Sequence, residues 1–156
     1  MKKAVVLAGF PGVGKSTIFK KGHNDKVILD SDSSNFSWVW NLGHTRRSNV
    51  RDLNFPQNYI DHIKDNLNKA DIIFVSTHTE VLDALVKNDV DFSIVYPSKD
   101  RKEEFMELYK KRGNDEGFMK TLNNNFENWI QGLIDYPIPD YKKIELKSGE
   151  FISDIL

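Results

Sequence analysis

Short apolar runs alternate along the chain with longer amphipathic stretches. The runs are rich in β-branched residues and predict four strands and a fifth, weaker one, at 4–8, 26–30, 71–76, 92–97 and 142–146. The stretches between them have helical periodicity and predict helices at 15–21, roughly 56–69, 79–87, 99–112 and 117–134. Nearly continuous apolar strands are typical of a parallel sheet covered on both faces. The pattern therefore predicts an α/β fold, a doubly wound parallel sheet of about five strands with right-handed crossovers.

Two of the predicted helices carry signals at their ends. Thr79 is predicted to cap the third helix, with Glu80 in its first turn. Ser98 is predicted to cap the charged helix that follows the fourth strand, and Gly113 is predicted to end it. In a sheet of this kind ligands bind beyond the carboxyl ends of the strands, so we expect functional residues just after each strand.

Size and composition indicate one domain over residues 1–156. The chain is 39% hydrophobic and 29% charged, which is typical of a globular protein. No apolar run approaches the roughly 20 residues of a membrane span, and none suits a secretory signal, so we expect a cytoplasmic protein without membrane partners. The chain lacks cysteine, which excludes disulfides and thiolate metal sites. A net charge of -1 argues against broad nucleic-acid binding and leaves the oligomeric state open.

The stretch GFPGVGKST follows the first strand and opens the first helix. Gly9, Gly14, Lys15 and Ser16 match the spacing G-x-x-x-x-G-K-[ST] of a phosphate-binding loop in the strand-to-helix context that this motif requires. Glycines let successive amides turn inward and form an anion nest. Lys15 is expected to contact the β- and γ-phosphates, and Ser16 to ligate Mg²⁺. The nucleotide-binding residues expected here are Gly9, Gly12, Val13, Gly14, Lys15, Ser16 and Thr17.

The second strand ends in the sequence DSD. Two carboxylates two residues apart suit one group near a metal and another that orients or deprotonates an acceptor. We assign Asp30 to the metal side and Asp32 to the acceptor side. An alternative is that Ser31, Asp32 and Ser33 cap a following helix.

With the loop and these carboxylates, the chain resembles the small P-loop kinases, among them the nucleoside monophosphate kinases such as adenylate kinase, shikimate kinase and the kinase domain of polynucleotide 5'-kinase. It is also similar in general look to the short nucleotide kinases of bacteriophages. The resemblance implies a P-loop NTPase fold with an acceptor-binding insert, here 33–68, and a lid region, here 100–125. The DSD sequence resembles the acceptor-side aspartates of shikimate kinase more than the threonine-glycine-aspartate turn of adenylate kinase.

Cations in the acceptor-binding insert suit a substrate that already carries a phosphate. Arg46, Arg47 and Arg51 offer guanidinium forks, and on a helix positions 47 and 51 would share a face. An alternative is a solvated basic turn. Three aromatic residues suit base stacking or a core position: Phe36, Trp38 and Trp40. His78, after the third strand, suits a phosphate or a base edge, or a turn of purely structural role.

The lid region carries arginines that suit the charge of a moving phosphoryl group. Arg112 precedes the sequence GND and is the first candidate, and Arg101 is the second. On a helix, positions 101, 105, 108 and 112 lie along one stripe. An alternative is that both arginines belong to a solvated helix balanced by glutamates.

These patterns lead to one functional hypothesis and two alternatives. The hypothesis is phosphoryl transfer from ATP with Mg²⁺ to a nucleoside or deoxynucleoside monophosphate, with Lys15, Asp32, Arg112 and Arg101 as catalytic residues. One alternative is a P-loop kinase that phosphorylates an alcohol, either a small metabolite or a polynucleotide 5'-hydroxyl. The other is a nucleotide-binding ATPase module that has no acceptor.

Overall fold

The structure is a computed structural model of the chain, and it describes residues 3–22, 25–30, 38–40, 47–51 and 53–155. The strands are β1 (Val5–Gly9), β2 (Ile28–Asp30), β3 (Trp38–Trp40), β4 (Arg47–Arg51), β5 (Ile72–Val75), β6 (Ser93–Pro97) and β7 (Lys143–Leu146). The α-helices are α1 (Lys15–Lys21), α2 (Gln57–Asn66), α3 (Thr79–Lys87), α4 (Lys102–Lys111) and α5 (Glu116–Ile134). Short 3₁₀ turns span Lys99–Arg101, Asp140–Lys142 and Ile152–Asp154.

Five of the strands form one sheet, in the order β2-β5-β1-β6-β7. The pairs β1 with β5, β2 with β5 and β6 with β7 are parallel. The predicted α/β fold with a doubly wound parallel sheet is therefore confirmed, including the weak fifth strand. Each predicted helix is present, and the bounds of the first and third agree with the prediction. No helix in the described part of the chain has the length and apolar character needed to cross a membrane.

By its internal contacts the chain divides into two compact units. The first unit comprises Met1–Ala8 and Ser16–Phe92, and the second comprises Gly9–Lys15 and Ser93–Leu156. In the first unit, β5 lies between β1 and β2, and its four residues are at most 3% exposed. Asp71 fixes the start of these strands, since its carboxylate accepts from the amide of Val27 at 2.8 Å and its carbonyl from Val5 at 2.9 Å.

The second unit contains β6, β7, α4, α5 and the loop that follows β1. Its helices form because apolar side chains recur every three or four residues. In α4 the buried side chains are Phe105 and Tyr109, and in α5 they are Leu122, Phe126, Ile130 and Leu133. Phe105 contacts Phe126 with ring centroids 5.9 Å apart, which joins the two helices. Asp115 caps α5 through a carboxylate oxygen that accepts from the amide of Phe118 at 2.7 Å.

Two local predictions are wrong. Thr79 is not the cap of α3, because His78 occupies the N-cap position and Thr79 is the first helical residue. Positions 47 and 51 are not helical, because Arg47–Arg51 forms β4 and pairs antiparallel with β3. The register sets Trp38 opposite Arg51 and Trp40 opposite Arg47. Four of the residues that were expected to serve an acceptor, Trp38, Trp40, Arg47 and Arg51, are thus backbone neighbours in a two-stranded sheet.

Candidate phosphate-binding site

The loop between β1 and α1 has the backbone geometry that the motif predicts. Gly12 and Gly14 both have positive φ, 92° and 104°, in the region that side chains other than hydrogen disfavour. β1 ends at Gly9 and α1 begins at Lys15, so the loop leads directly into a helix N-terminus. Alternation of backbone handedness over successive residues turns amide N–H groups toward one side and forms a concave anion site.

Lys15 closes the loop over Gly9. Its ammonium donates a hydrogen bond to the carbonyl oxygen of Gly9 at 2.7 Å. A Cβ atom on Gly9 would lie 2.8 Å from Cδ of Lys15, closer than such atoms approach, and 3.1 Å from a methyl group of Val13. Glycine at position 9 therefore leaves the space in which the lysine stem lies. The positive charge of Lys15 is held at the first residue of the loop, which we call the mouth of the loop.

The packed side of the loop is held by side chains and backbone of the second unit. The amide of Phe10 donates to the carbonyl of Val95 in β6 at 2.9 Å. The hydroxyl of Tyr109 donates to the carbonyl of Pro11 at 2.6 Å. The amide of Ile152 donates to the carbonyl of Val13 at 2.8 Å. Two loop carbonyls are thus satisfied from behind the loop.

Gly12 and Gly14 also touch these anchoring residues. A Cβ atom on Gly12 would lie 2.9 Å from the ring of Tyr109 and 3.2 Å from that of Phe105. At Gly14 the nearest atoms, from Phe151 and Ile152, would be at 3.7 Å. The loop is therefore flanked by α4 and by residues 151–154, which we call the C-terminal hook.

Tyr109 is buried, and its surroundings affect its ionisation. Burial raises the pKa of the phenol well above its usual value, and the positive charge of Arg112 opposes that rise in pKa. The hydroxyl therefore stays protonated and remains a hydrogen-bond donor to Pro11. Arg112 is the C-cap residue of α4, three positions after Tyr109 in the chain, and is exposed.

Arg101 does not occupy the position expected of a lid cation. Its side chain is 1% exposed, and the guanidinium forms an ion pair with Glu104. It also donates to the carbonyls of Glu150 at 2.7 Å and Leu146 at 3.2 Å. The interpretation as part of a solvated helix is equally wrong for this residue. A guanidinium with this many internal partners favours a structural role, and the catalytic role expected of Arg101 stays a prediction.

The metal-side candidate Asp30 and the acceptor-side candidate His78 lie at the carboxyl ends of adjacent strands in the first unit. Asp30 ends β2 and is in register with Phe74 of β5, which is also in register with Leu7 of β1. His78 follows β5, is exposed, and does not cap α3 through its side chain. These positions agree with the expectation that functional residues follow the strands.

Other candidates are described only in part. Asp32 and Arg46 lie outside the described residues. Ser16 is in the first turn of α1 and Thr17 is an exposed residue of that helix. Among the residues that the structure describes, no cluster of three or more histidine or carboxylate side chains could hold a metal ion. A Mg²⁺ ion brought by a nucleotide needs no such cluster, since the phosphates and water supply most of its ligands.

Residues of the predicted acceptor-binding insert line an open surface pocket in the first unit. Its volume is ≈ 460 Å³, and its lining residues are Leu53, Asn54, Phe55, Pro56, Gln57, Asn58 and Asp61. This volume lies within the range of small-molecule sites, roughly 300–1,000 Å³. The amide of Gln57 donates to Asp61 at 2.8 Å, so part of the polar lining is already ordered.

The anchors of the loop were missed by sequence reasoning. Tyr109 and Ile152 lie far from the motif along the chain, and neither belongs to a recognisable pattern. The available signal was the spacing of Phe105 and Tyr109, which places both on one face of α4. That signal predicts a buried helix face, but it does not indicate that the face touches the loop.

Comparisons with known proteins give limited information. No protein-family model matches the sequence, and no curated protein matches it. Among solved structures, the chain is similar to a gluconokinase from Sinorhizobium meliloti 1021, with 13% sequence identity and a TM-score of 0.49. The alignment covers 97% of this chain and 86% of the gluconokinase. A likeness this distant says nothing about activity or substrate, so the functional conclusion depends on the residues of the loop.

Proposed function

We propose that the protein is a phosphotransferase that moves the γ-phosphoryl group of ATP to a nucleoside or deoxynucleoside monophosphate. The observation that carries this proposal is the loop Gly9–Lys15, with positive φ at Gly12 and Gly14 and the Lys15 ammonium at its mouth. Such a loop binds the oxygens of a phosphate chain through amides, a helix N-terminus and one cation.

The residues of the loop fit the triphosphate of ATP. The absence of a side chain at Gly9 leaves room for the stem of Lys15, whose ammonium then reaches the β- and γ-phosphate oxygens by exchanging its carbonyl partner for them. Ser16 and Asp30 are the proposed protein groups on the Mg²⁺ side. The bound Mg²⁺ supplies positive charge that offsets the charge of the phosphates.

Arg112 supplies the further cation that transfer requires. The residue follows α4 directly, the helix whose Tyr109 holds the loop, and it is exposed. In the proposed reaction a phosphate oxygen of the acceptor forms a bond to the γ-phosphorus while the bond to the bridging oxygen breaks and ADP leaves. A guanidinium beside the transferred group stabilises the charge that spreads over its oxygens.

The acceptor is proposed to bind through the insert 33–68. A nucleotide acceptor offers a flat base and a phosphate, which suit aromatic and guanidinium side chains respectively. In β3 and β4 the backbone register pairs each of two tryptophans with an arginine, Trp38 with Arg51 and Trp40 with Arg47. This composition favours a nucleotide over a small uncharged metabolite.

A second candidate is transfer to an alcohol, with Asp32 as the base. It is favoured by the carboxylate of the DSD sequence that follows β2, because an alcohol must lose a proton as it attacks. A polynucleotide 5'-hydroxyl would combine this chemistry with a base to stack.

Labelled phosphate transfer distinguishes these candidates. The full chain is incubated with ATP labelled at the γ-position, Mg²⁺ and separate panels of ribo- and deoxynucleoside monophosphates, 5'-hydroxyl oligonucleotides and small alcohols. We expect label in nucleoside diphosphates. Label only in the oligonucleotides or alcohols would support the second candidate, and ATP hydrolysis without any labelled acceptor would support an ATPase module.

Matched variants test the same distinction. Arg47→Ala and Arg51→Ala should reduce transfer to a monophosphate, since each removes a cation proposed to bind the acceptor phosphate. Asp32→Asn should spare much of that transfer and should nearly abolish transfer to an alcohol. The reverse result would exclude a monophosphate as the acceptor.

A further inference from the structure

We propose that Tyr109 and Ile152 are positioning residues that direct the amide N–H groups of Gly12 and Gly14 toward a bound phosphate chain. The inference rests on the proposed function to the extent that the loop binds a triphosphate. It assigns the pre-formed shape of the loop to two residues far from the motif, one in α4 and one in the C-terminal hook.

The planarity of the peptide bond provides the mechanism. In a trans peptide the C=O of one residue and the N–H of the next point in opposite directions. The hydroxyl of Tyr109 holds the carbonyl of Pro11 at 2.6 Å, so the N–H of Gly12 points away from Tyr109. The amide of Ile152 holds the carbonyl of Val13 at 2.8 Å in the same way, so the N–H of Gly14 points away from Ile152.

Burial makes both bonds persistent. Tyr109 is 1% exposed and Ile152 is fully buried, so water cannot easily replace either donor. Glycine peptides rotate easily because no Cβ restricts them, so a hydrogen bond to the preceding carbonyl fixes the orientation of each peptide. Fixing the two amides before the ligand arrives lowers the entropy lost on binding.

Arg101 links the two anchors. Its guanidinium lies over the rings of Phe105 in α4 and Phe151 in the C-terminal hook, 4.9 Å and 5.2 Å from their centroids. The two rings are themselves stacked at 6.3 Å, and the guanidinium also holds the carbonyl of Glu150. One buried cation thus connects the helix that carries Tyr109 to the segment that carries Ile152.

The first test removes a single hydroxyl. Tyr109→Phe keeps the ring against Gly12 but loses the bond to Pro11, and Tyr141→Phe removes a hydroxyl from an 82% exposed residue as the control. Calorimetry measures the affinity of the full chain for tripolyphosphate and for ATP, each with Mg²⁺. We expect Tyr109→Phe to weaken both about five- to tenfold, the net value of one hydrogen bond, and the control to bind as the wild type does.

The second test removes one amide N–H. Ile152→Pro eliminates the donor to Val13, and the extended backbone at Phe151 (φ -131°, ψ 175°) is compatible with a following proline. Ile152→Val keeps the N–H and most of the apolar contact, so it serves as the matched control. We expect weaker tripolyphosphate binding for the proline variant only. Should it fail to fold, Tyr109→Phe carries the test alone.

A further variant separates a general loss of stability from a loss of the orientation of the loop amides. Ile130→Val shortens a buried side chain of α5 and lowers the melting temperature, and at 10 °C it should bind tripolyphosphate as tightly as the wild type. Wild-type affinity in both Tyr109→Phe and Ile152→Pro would overturn this inference while leaving the proposed function intact. Absence of any binding by the wild type would overturn the proposed function, and this inference with it.

Discussion

The ammonium of Lys15 and the carbonyl oxygen of Gly9 are 2.7 Å apart, so the last residue of the phosphate loop is hydrogen-bonded to the first. This bond holds a positive charge at the mouth of the loop before any nucleotide binds. Because the lysine stem lies over Gly9, the bond also explains why position 9 has no side chain. This bond and the contacts of other residues lead to five predictions about stability, activity and binding.

Gly12→Ala should destabilise the protein far more than Gly113→Ala. Both glycines have positive φ, but a Cβ atom on Gly12 would lie 2.9 Å from the ring of Tyr109, whereas one on Gly113 meets nothing within 4 Å. Backbone strain alone costs roughly 1 kcal/mol, and overpacking adds about 1–3 kcal/mol. Urea unfolding measures both variants. Equal losses would show that the contact with Tyr109 is absent in solution.

Gly9→Ala should impair ATP binding more than it impairs folding. The added methyl group would meet Cδ of Lys15 at 2.8 Å, and the flexible lysine side chain relieves the clash by moving off the loop. We expect affinity for ATP with Mg²⁺ to fall about tenfold, with a loss of stability of about 1 kcal/mol. Calorimetry and thermal unfolding of the same sample measure the two effects. Unchanged affinity would contradict the position of the lysine stem.

Arg101→Met should mainly lower the free energy of unfolding, whereas Arg112→Ala should mainly lower the rate of phosphoryl transfer. Arg101 holds two backbone carbonyls and Glu104 from a buried position, so its loss should cost about 2–4 kcal/mol of unfolding free energy. Arg112 is exposed, so its loss should change stability by less than about 0.5 kcal/mol but lower the transfer rate about 10²–10³-fold.

Arg112→Lys provides the control for the second effect, because it keeps the charge but not the planar fork. Thermal unfolding and steady-state kinetics are measured for all three variants. A catalytic loss at Arg101 without loss of stability would restore it as a lid cation. A loss of stability at Arg112 would remove that residue from the proposed reaction.

Stability should fall in acid partly through Glu104. The hydrogen bond from Arg101 lowers the pKa of the Glu104 carboxyl below its ordinary 4.5, so the unfolded chain binds this proton more readily than the folded protein. The stabilisation is present above about pH 4.5 and is lost as pH falls through the folded-state pKa. Glu104→Gln should therefore give a lower melting temperature at pH 7 and a flatter acid limb.

The neighbouring exposed Glu103→Gln is the matched control for that pH profile, since it removes the same charge from α4 without touching Arg101. Melting temperature is recorded from pH 3 to pH 7 for both variants and the wild type. Parallel acid limbs in all three proteins would show that the ion pair between Arg101 and Glu104 does not contribute to folding.

Local pattern was enough to predict the sheet and the loop. The strands are short apolar runs because they are buried on both faces of the sheet. The loop motif occurs between a strand and a helix, so it also indicates the two elements beside it. Strand β4 was not predicted, because Arg47 and Arg51 lie in a polar stretch without the alternation that marks a strand. Its pairing with β3 depends on a partner strand rather than on local propensity.

The environment of the arginines could not be predicted from the same information. Arg101 and Arg112 look alike in the sequence, each within a charged stretch. Their difference arises because the carbonyls of Leu146 and Glu150, more than forty residues away, surround one guanidinium and not the other. Long-range contacts of this kind leave no periodic signal. The hydrogen bond from Tyr109 to Pro11 is another long-range contact that the sequence pattern does not indicate.

The central claim is that the loop closed by Lys15 holds the triphosphate of ATP. Titration calorimetry of the wild type and of Lys15→Ala with ATP and Mg²⁺ tests it most directly, with circular dichroism confirming that both are folded. We expect saturable heat for the wild type and an affinity at least about 100-fold weaker for the variant, the value of a charge-assisted bond to phosphate lost from a protected site. No heat with the wild type, or equal affinities, would contradict the account.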